Sequence, residues 1–174
     1  GLRDDSGIID ADSTVRPLDS VVWTVSENAR RVRTERIADE KLNFMGPVGT
    51  AFYGLPQTQQ SGLPWPGYNT QDIDYSQLRG PVHLHVVPKV MPQGARFGMF
   101  TESLNGADVL LDSTTGKTTI DIDYATHAHA NWVFSEPGQY MFDVHYSATL
   151  ADGTEVSSPV QQLAVAVGKK ASDA

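Results

Sequence analysis

Five histidines are present in this chain and no cysteine, so a metal would have to be held by imidazole, carboxylate and water. Three of them, His127, His129 and His145, fall within 19 residues. Imidazoles at i and i+2 of an extended strand project from one face. Zinc takes three or four nitrogen or oxygen ligands in tetrahedral array at about 2.0–2.1 Å, so two such imidazoles plus one or two neighbours make a plausible donor set. In the run 126–134, Ala128, Ala130, Trp132 and Phe134 form the apolar side and His127, His129 and Asn131 the other. After the turn Ser135-Glu136-Pro137-Gly138, Tyr140, Phe142, Val144 and Tyr146 face inward, while Met141, Asp143, His145 and Ser147 face outward. The two segments are predicted to pair as one hairpin. A one-residue slip would flip every side chain, so only registers that keep core opposite core qualify. With Phe134 opposite Tyr140, His129 meets His145 and Asn131 meets Asp143. Shifted by two, His127 meets His145 and His129 meets Asp143. The expected zinc ligands are therefore His127, His129 and His145, with Asp143, a water, or one of His83 and His85 completing the shell.

A second i, i+2 pair, His83 and His85, alternates with Val82, Leu84 and Val86. It joins the first cluster if its strand neighbours 126–134. Otherwise its imidazoles are exposed polar positions. The plain alternative for His127, His129 and His145 is structural: histidines that hydrogen-bond loop backbone and hold the hairpin against the long loop. A second functional reading uses Trp65, set between Pro64 and Pro66, with Tyr68 and Asn69 as a sugar-binding surface. Trp132 shares the face of Ala130 and Phe134 and is expected in the core.

Other matches carry less. Asp121, Asp123 and Asp143 lack calcium-loop spacing and read as solvated carboxylates. Leu55-Pro56-Gln57-Thr58-Gln59 resembles a sortase signal without the apolar segment and basic tail. Thr115-Gly116-Lys117-Thr118 lacks the upstream glycine of a phosphate loop. Three histidines and a water also suit a catalytic zinc, but no general base or nucleophile elbow accompanies them, so the expectation is a non-enzymatic protein.

The elements that must position these residues are short. Strands are predicted at 21–25, 50–53, 81–88, 96–102, 107–112, 117–123, 126–134, 139–149 and 155–167. Turns are signalled at Pro92-Gln93-Gly94, Asn105-Gly106, Thr115-Gly116-Lys117, Pro137-Gly138 and Asp152-Gly153. Many short strands at this spacing argue for an all-β, immunoglobulin-like antiparallel sandwich. Residues 28–43, rich in Arg and Glu, read either as a short charged helix or as a solvated strand and loop. Residues 55–80 form a long irregular loop expected to pack over the domain, since structureless stretches of that length are usually functional or disordered. The organisation expected is a loose lead-in over 1–17, a sandwich over 18–168 and a tail over 169–174.

A chain of 174 residues is long enough for one buried core. Its net charge of −8 argues against nucleic acid or an anionic membrane as partner. No run reaches the roughly 18 apolar residues of a membrane span. With no leader sequence evident, the chain reads as cytosolic or as a mature or trimmed form.

Several blocks resemble a known family. They are Asn43-Phe44-Met45-Gly46-Pro47-Val48-Gly49, the run Tyr53-Gly54-Leu55-Pro56-Gln57-Thr58-Gln59, and Gly62-Leu63-Pro64-Trp65-Pro66-Gly67-Tyr68-Asn69-Thr70. The strongest is Thr126-His127-Ala128-His129-Ala130-Asn131-Trp132-Val133-Phe134, followed by Pro137-Gly138-Gln139-Tyr140 and 148–154. Together, over about 18–168, they resemble the actinobacterial surface-anchored protein domain of the choice-of-anchor M group. That resemblance implies an extracellular module tied to the cell wall or cell surface. It also implies a part in zinc or manganese acquisition beside a metal-type ABC transporter, or a host or cell-wall ligand as partner. Haem stays open beside zinc, because His and Tyr both ligate iron. One departure is that the strand expected to carry His-Val-Asp reads Gly7-Ile8-Ile9-Asp10-Ala11-Asp12 here.

Overall fold

The computed structural model describes residues 2–4, 14–16, 18 and 21–168. The tail 169–174 and most of the lead-in lie outside them. Within the lead-in, β1 (Leu2–Asp4) pairs antiparallel with β2 (Thr14–Arg16), where the sequence suggested only a loose segment. The remaining strands are β3 (Val22–Val25), β4 (Arg30–Val32), β5 (Ala51–Leu55), β6 (Gly67–Asn69), β7 (Val82–Val90), β8 (Phe97–Ser103) and β9 (Gly106–Asp112). They continue with β10 (Thr119–Ile122), β11 (His127–His129), β12 (Asn131–Phe134), β13 (Gly138–Thr149), β14 (Glu155–Ser157) and β15 (Gln161–Val167).

These form an all-β sandwich. One sheet has the order β10-β7-β13-β15-β3, with β14 also pairing with β13, and the other β4-β5-β12-β8-β9. Every pair is antiparallel except β15 with the edge strand β3. The core lies between the sheets. From the first come Leu84, Val86, Tyr140, Phe142, Leu163 and Val165, and from the second Leu55, Phe97, Met99, Trp132 and Phe134. Alternation produces this directly: Val82, Leu84 and Val86 are buried while His83 and His85 between them are half-exposed.

The predicted hairpin between 126–134 and 139–149 is not formed. β12 pairs with β5 and β8 in one sheet, whereas β13 pairs with β7 and β15 in the other. Residues 135–137 form an arch that carries the chain from sheet to sheet. Two clamps hold it. Arg96 N–H donates to Ser135 Oγ at 2.6 Å while Ser135 N–H donates to Arg96 O at 2.9 Å. The buried Tyr140 hydroxyl donates to Glu136 O at 2.7 Å and accepts from Glu136 N–H at 3.2 Å. Gly138 takes φ +135, a conformation that suits only glycine. The physical reason lies in β12, which is buried on both faces. Trp132 and Phe134 enter the main core and Val133 a second one, so β12 lacks the polar outer face a hairpin partner of β13 would present.

That second core covers the outer face of the β12 sheet. Phe52, Phe100, Ala107 and Val133 pack under Leu42, Phe44 and Met45, which belong to a 3-10 segment, Glu40–Met45. The Arg- and Glu-rich stretch thus forms no α-helix; it includes the largely exposed strand β4 and continues in 3-10 turns whose last segment is partly buried. These turns form a lid organised around Arg33. Only 1% exposed, Arg33 donates to Ile37 O at 2.8 Å, Asp39 O at 2.9 Å, Gly46 O at 2.8 Å and Asn43 Oδ1 at 3.1 Å. Its planar fork suits several fixed acceptors at once.

Candidate functional site

The long loop folds back on the sandwich rather than extending from it. Leu63, Tyr68, Tyr75 and Leu78 pack against the main core. Thr70 N–H donates to Thr126 O at 2.7 Å, and Thr126 N–H to Thr70 Oγ1 at 3.0 Å. These bonds bring β6 alongside β11 in a two-stranded ribbon, with His127 opposite Asn69, Ala128 opposite Tyr68 and His129 opposite Gly67. At Gly67 a Cβ would lie 2.7 Å from both Ala128 O and His129 Cε1. Only glycine leaves room there for the imidazole.

Over that gap the His129 ring stacks flat on the Trp65 indole, centroids 3.7 Å apart and planes 7° from parallel. His129 Nδ1 lies 3.1 Å from Pro66 O, and because a carbonyl can only accept, Nδ1 carries the proton. Trp65 Nε1 donates to Gln57 O at 2.9 Å. Gln57 in turn donates its backbone N–H to Asn131 Oδ1 at 2.8 Å, and its Oε1 accepts from Asn131 Nδ2 at 3.3 Å and Glu102 N–H at 2.9 Å. Three separate sequence blocks, 53–59, 62–70 and 126–134, therefore meet in one ledge. Trp65 is 40% exposed upon it, and the exposed His127 ring stands 5.3 Å from that of His129. Gln57 and Asn131 were not singled out as site residues from sequence: Gln57 lies in a loop without periodic signal, and alternation put Asn131 on the His127 and His129 face without showing that it would meet Gln57.

Tyr68 does not join Trp65 on this surface as the sugar-binding reading expected, whereas Asn69 lies opposite His127 on the ribbon. Tyr68 turns inward against the core, where burial pushes its hydroxyl pKa up. Asn69 is exposed and its Oδ1 accepts from Gln71 N–H at 2.8 Å.

The six expected metal ligands fall into three places. His127 and His129 are on the ledge. His145 is on β13, where its register partner is His85 of β7, and these two rings stack at 4.2 Å and 9°. His83 is 6.2 Å from His85 between ring centroids. Its Nδ1 lies 2.6 Å from Asp121 Oδ1 across the β10–β7 pair. Asp143 faces Val87 and Gln162 on its neighbours, with Lys89 Nζ at 3.8 Å from its carboxylate. So neither expected pairing, His145 with His127 or His129, nor Asp143 with His129 or Asn131, is present. The strand order replaced them with His145–His85, bringing His83, His85 and His145 together on the outer face of one sheet.

His85 has both ring nitrogens occupied by hydroxyls, Nε2 at 2.7 Å from Ser147 Oγ and Nδ1 at 3.1 Å from Thr119 Oγ1. Burial lowers its pKa, and the neighbouring His145 and His83 lower it further against an opposing pull from Asp121. The neutral ring is the form a metal binds. Even so, among the described residues no three His, Asp or Glu side chains are arranged to hold one ion. The donor types fit zinc; the rings as they lie do not converge on a point.

Comparison with protein-family models, with curated proteins and with solved structures returned no match. Among the described residues no helix is long and apolar enough to cross a membrane.

Proposed function

We propose that this chain is a non-enzymatic binding module, displayed at the cell surface, whose contact face is the ledge built by Trp65, His129 and His127. The observation that carries the reading is the flat Trp65–His129 stack, locked from beneath by Gln57 and Asn131 yet open to solvent. An exposed indole immobilised in this way offers a rigid apolar plane with polar groups at its rim, which suits the face of a pyranose ring. Loops held on a rigid scaffold are also where binding residues concentrate. The module then recognises cell-wall or host glycans. Glycan-array binding in the presence of a chelator, abolished by Trp65→Ala, is the expected result. Undiminished binding by Trp65→Ala rejects the ledge as the contact face.

A second reading has its own support. His83 is oriented by Asp121 in the carboxylate–histidine manner common around metal sites, and His85 and His145 stand beside it. On this reading His83, His85 and His145 take up a divalent ion, zinc first and manganese as the alternative, after the His85 ring releases one hydroxyl. The ion would be cargo passed to a transporter component. Zinc titration showing one site that is lost in His85→Ala, lost in His145→Ala and kept in Trp65→Ala favours it. Absence of heat at millimolar zinc removes it.

A further inference from the structure

A cavity of about 300 Å³ lies between the sheets, at the low end of the volumes that hold small ligands. Its wall draws on both sheets and on the long loop: Trp23, Tyr68, Met99, Trp132, Tyr146 and Leu163 among others. No lysine, arginine, aspartate or glutamate is among its described lining residues. Burial pushes the hydroxyl pKa of both Tyr68 and Tyr146 up, so these rings stay neutral. The polar groups of the wall are those of Tyr68, His145, Tyr146, Ser158 and Gln161, which can hydrogen-bond a neutral ligand but offer no permanent counter-charge to an ion that gives up its hydration.

Trp132 adds a second observation. It is 7% exposed, and its Nε1 is the one buried side-chain nitrogen or oxygen among the described residues that has no hydrogen-bond partner. Buried indole N–H groups usually find an acceptor. The Trp23 ring packs edge-on against Trp132 at 5.3 Å, and Trp23 sits on β3, which is bonded only to β15 at the sheet edge. That edge ring is the part of the wall best able to yield.

We propose that this cavity binds a small neutral aromatic molecule carrying one carbonyl-type acceptor, with the ring among Trp23, Met99 and Leu163 and the acceptor taking the Trp132 indole proton. The cavity adjoins the ledge through Gly67, but the proposal does not depend on what the ledge binds. The test uses protein labelled with 15N at its three tryptophans, whose indole signals are assigned by substitution. Acetophenone should move the Trp132 and Trp23 signals saturably and leave that of Trp65 in place. Ethylbenzene, of similar shape but without an acceptor, should bind about tenfold more weakly, the value of one hydrogen bond, and Trp132→Phe should erase that difference. Benzoate should not bind. Val144→Phe, which adds bulk at the cavity wall, should abolish the acetophenone response, whereas Trp65→Ala should keep it. No saturable shift of Trp132 in the wild-type protein overturns the proposal, as does equal binding of benzoate or an unchanged response in Val144→Phe.

Discussion

Replacing Arg33 by methionine would keep the length and apolar stem of a side chain that is 1% exposed while deleting its guanidinium. Four acceptors, the carbonyls of Ile37, Asp39 and Gly46 and the amide oxygen of Asn43, then lose this donor, Asp39 O keeping the Leu42 N–H at 2.9 Å. Hydrogen bonds to charged groups are each worth about 1.5–3 kcal/mol, but adding four overshoots, because the guanidinium regains water on unfolding. Leaving a buried acceptor without its donor costs about 1–3 kcal/mol per group, and a total of about 3–5 kcal/mol is the expected loss. For a chain of this size it corresponds to a fall in Tm of roughly 6–20 °C. Arg33→Lys keeps the charge but not the fork, and should recover less than half of the loss. Urea unfolding followed by tryptophan fluorescence gives both stability and m-value. A loss under about 1 kcal/mol with an unchanged m-value would refute the argument, because the lid's carbonyls would then have found other partners.

Two further outcomes follow from the same geometry. At Gly98 a Cβ would collide with the Phe44 ring and come within 2.7 Å of Leu111 O, so Gly98→Ala should cost about 1–3 kcal/mol of overpacking, read by the same unfolding curves; a neutral or stabilising result would show that the lid is loosely seated. His85 is held below its ordinary value of 6.5 by burial first, then by His145 and His83. The unfolded chain therefore takes up this proton before the folded one does. Stability should be full above about pH 6.5 and decline as pH falls through that value, levelling off below the lower folded pKa. Unfolding of wild type and His85→Gln from pH 5 to 8 checks this, and an identical slope in the two proteins rejects it.

Much of the fold was legible in residue order. Turn glycines are the clearest case: Gly106, Gly116, Gly138 and Gly153 all take positive φ, and each had been marked by its dipeptide. The strand at 81–88 was placed because Val82, Leu84 and Val86 alternate with polar residues, and the inward position of Trp132 followed from its neighbours. What alternation cannot state is which strands become neighbours. The run 126–134 also breaks at Ala130, with β11 joining the loop ribbon and β12 a main sheet, although one continuous period of two spans both. For the candidate site, His127 and His129 were found together by their spacing. The His85–His145 contact depended on β7 and β13 pairing, a fact of tertiary order alone. Arg33 was missed because an arginine among charged neighbours reads as solvated, and its burial is decided by carbonyls that only the folded turns bring to it.

The Gln57–Asn131 lock has a consequence for how this protein could diversify. It fastens the recognition loop to a strand end by side-chain amides and backbone alone, so the stretch between Gln57 and Thr70 can be exchanged while those two anchoring points stay constant. Such a cassette lets one β framework present many different surfaces, and engineering new specificity would begin there rather than in the strands of the sandwich.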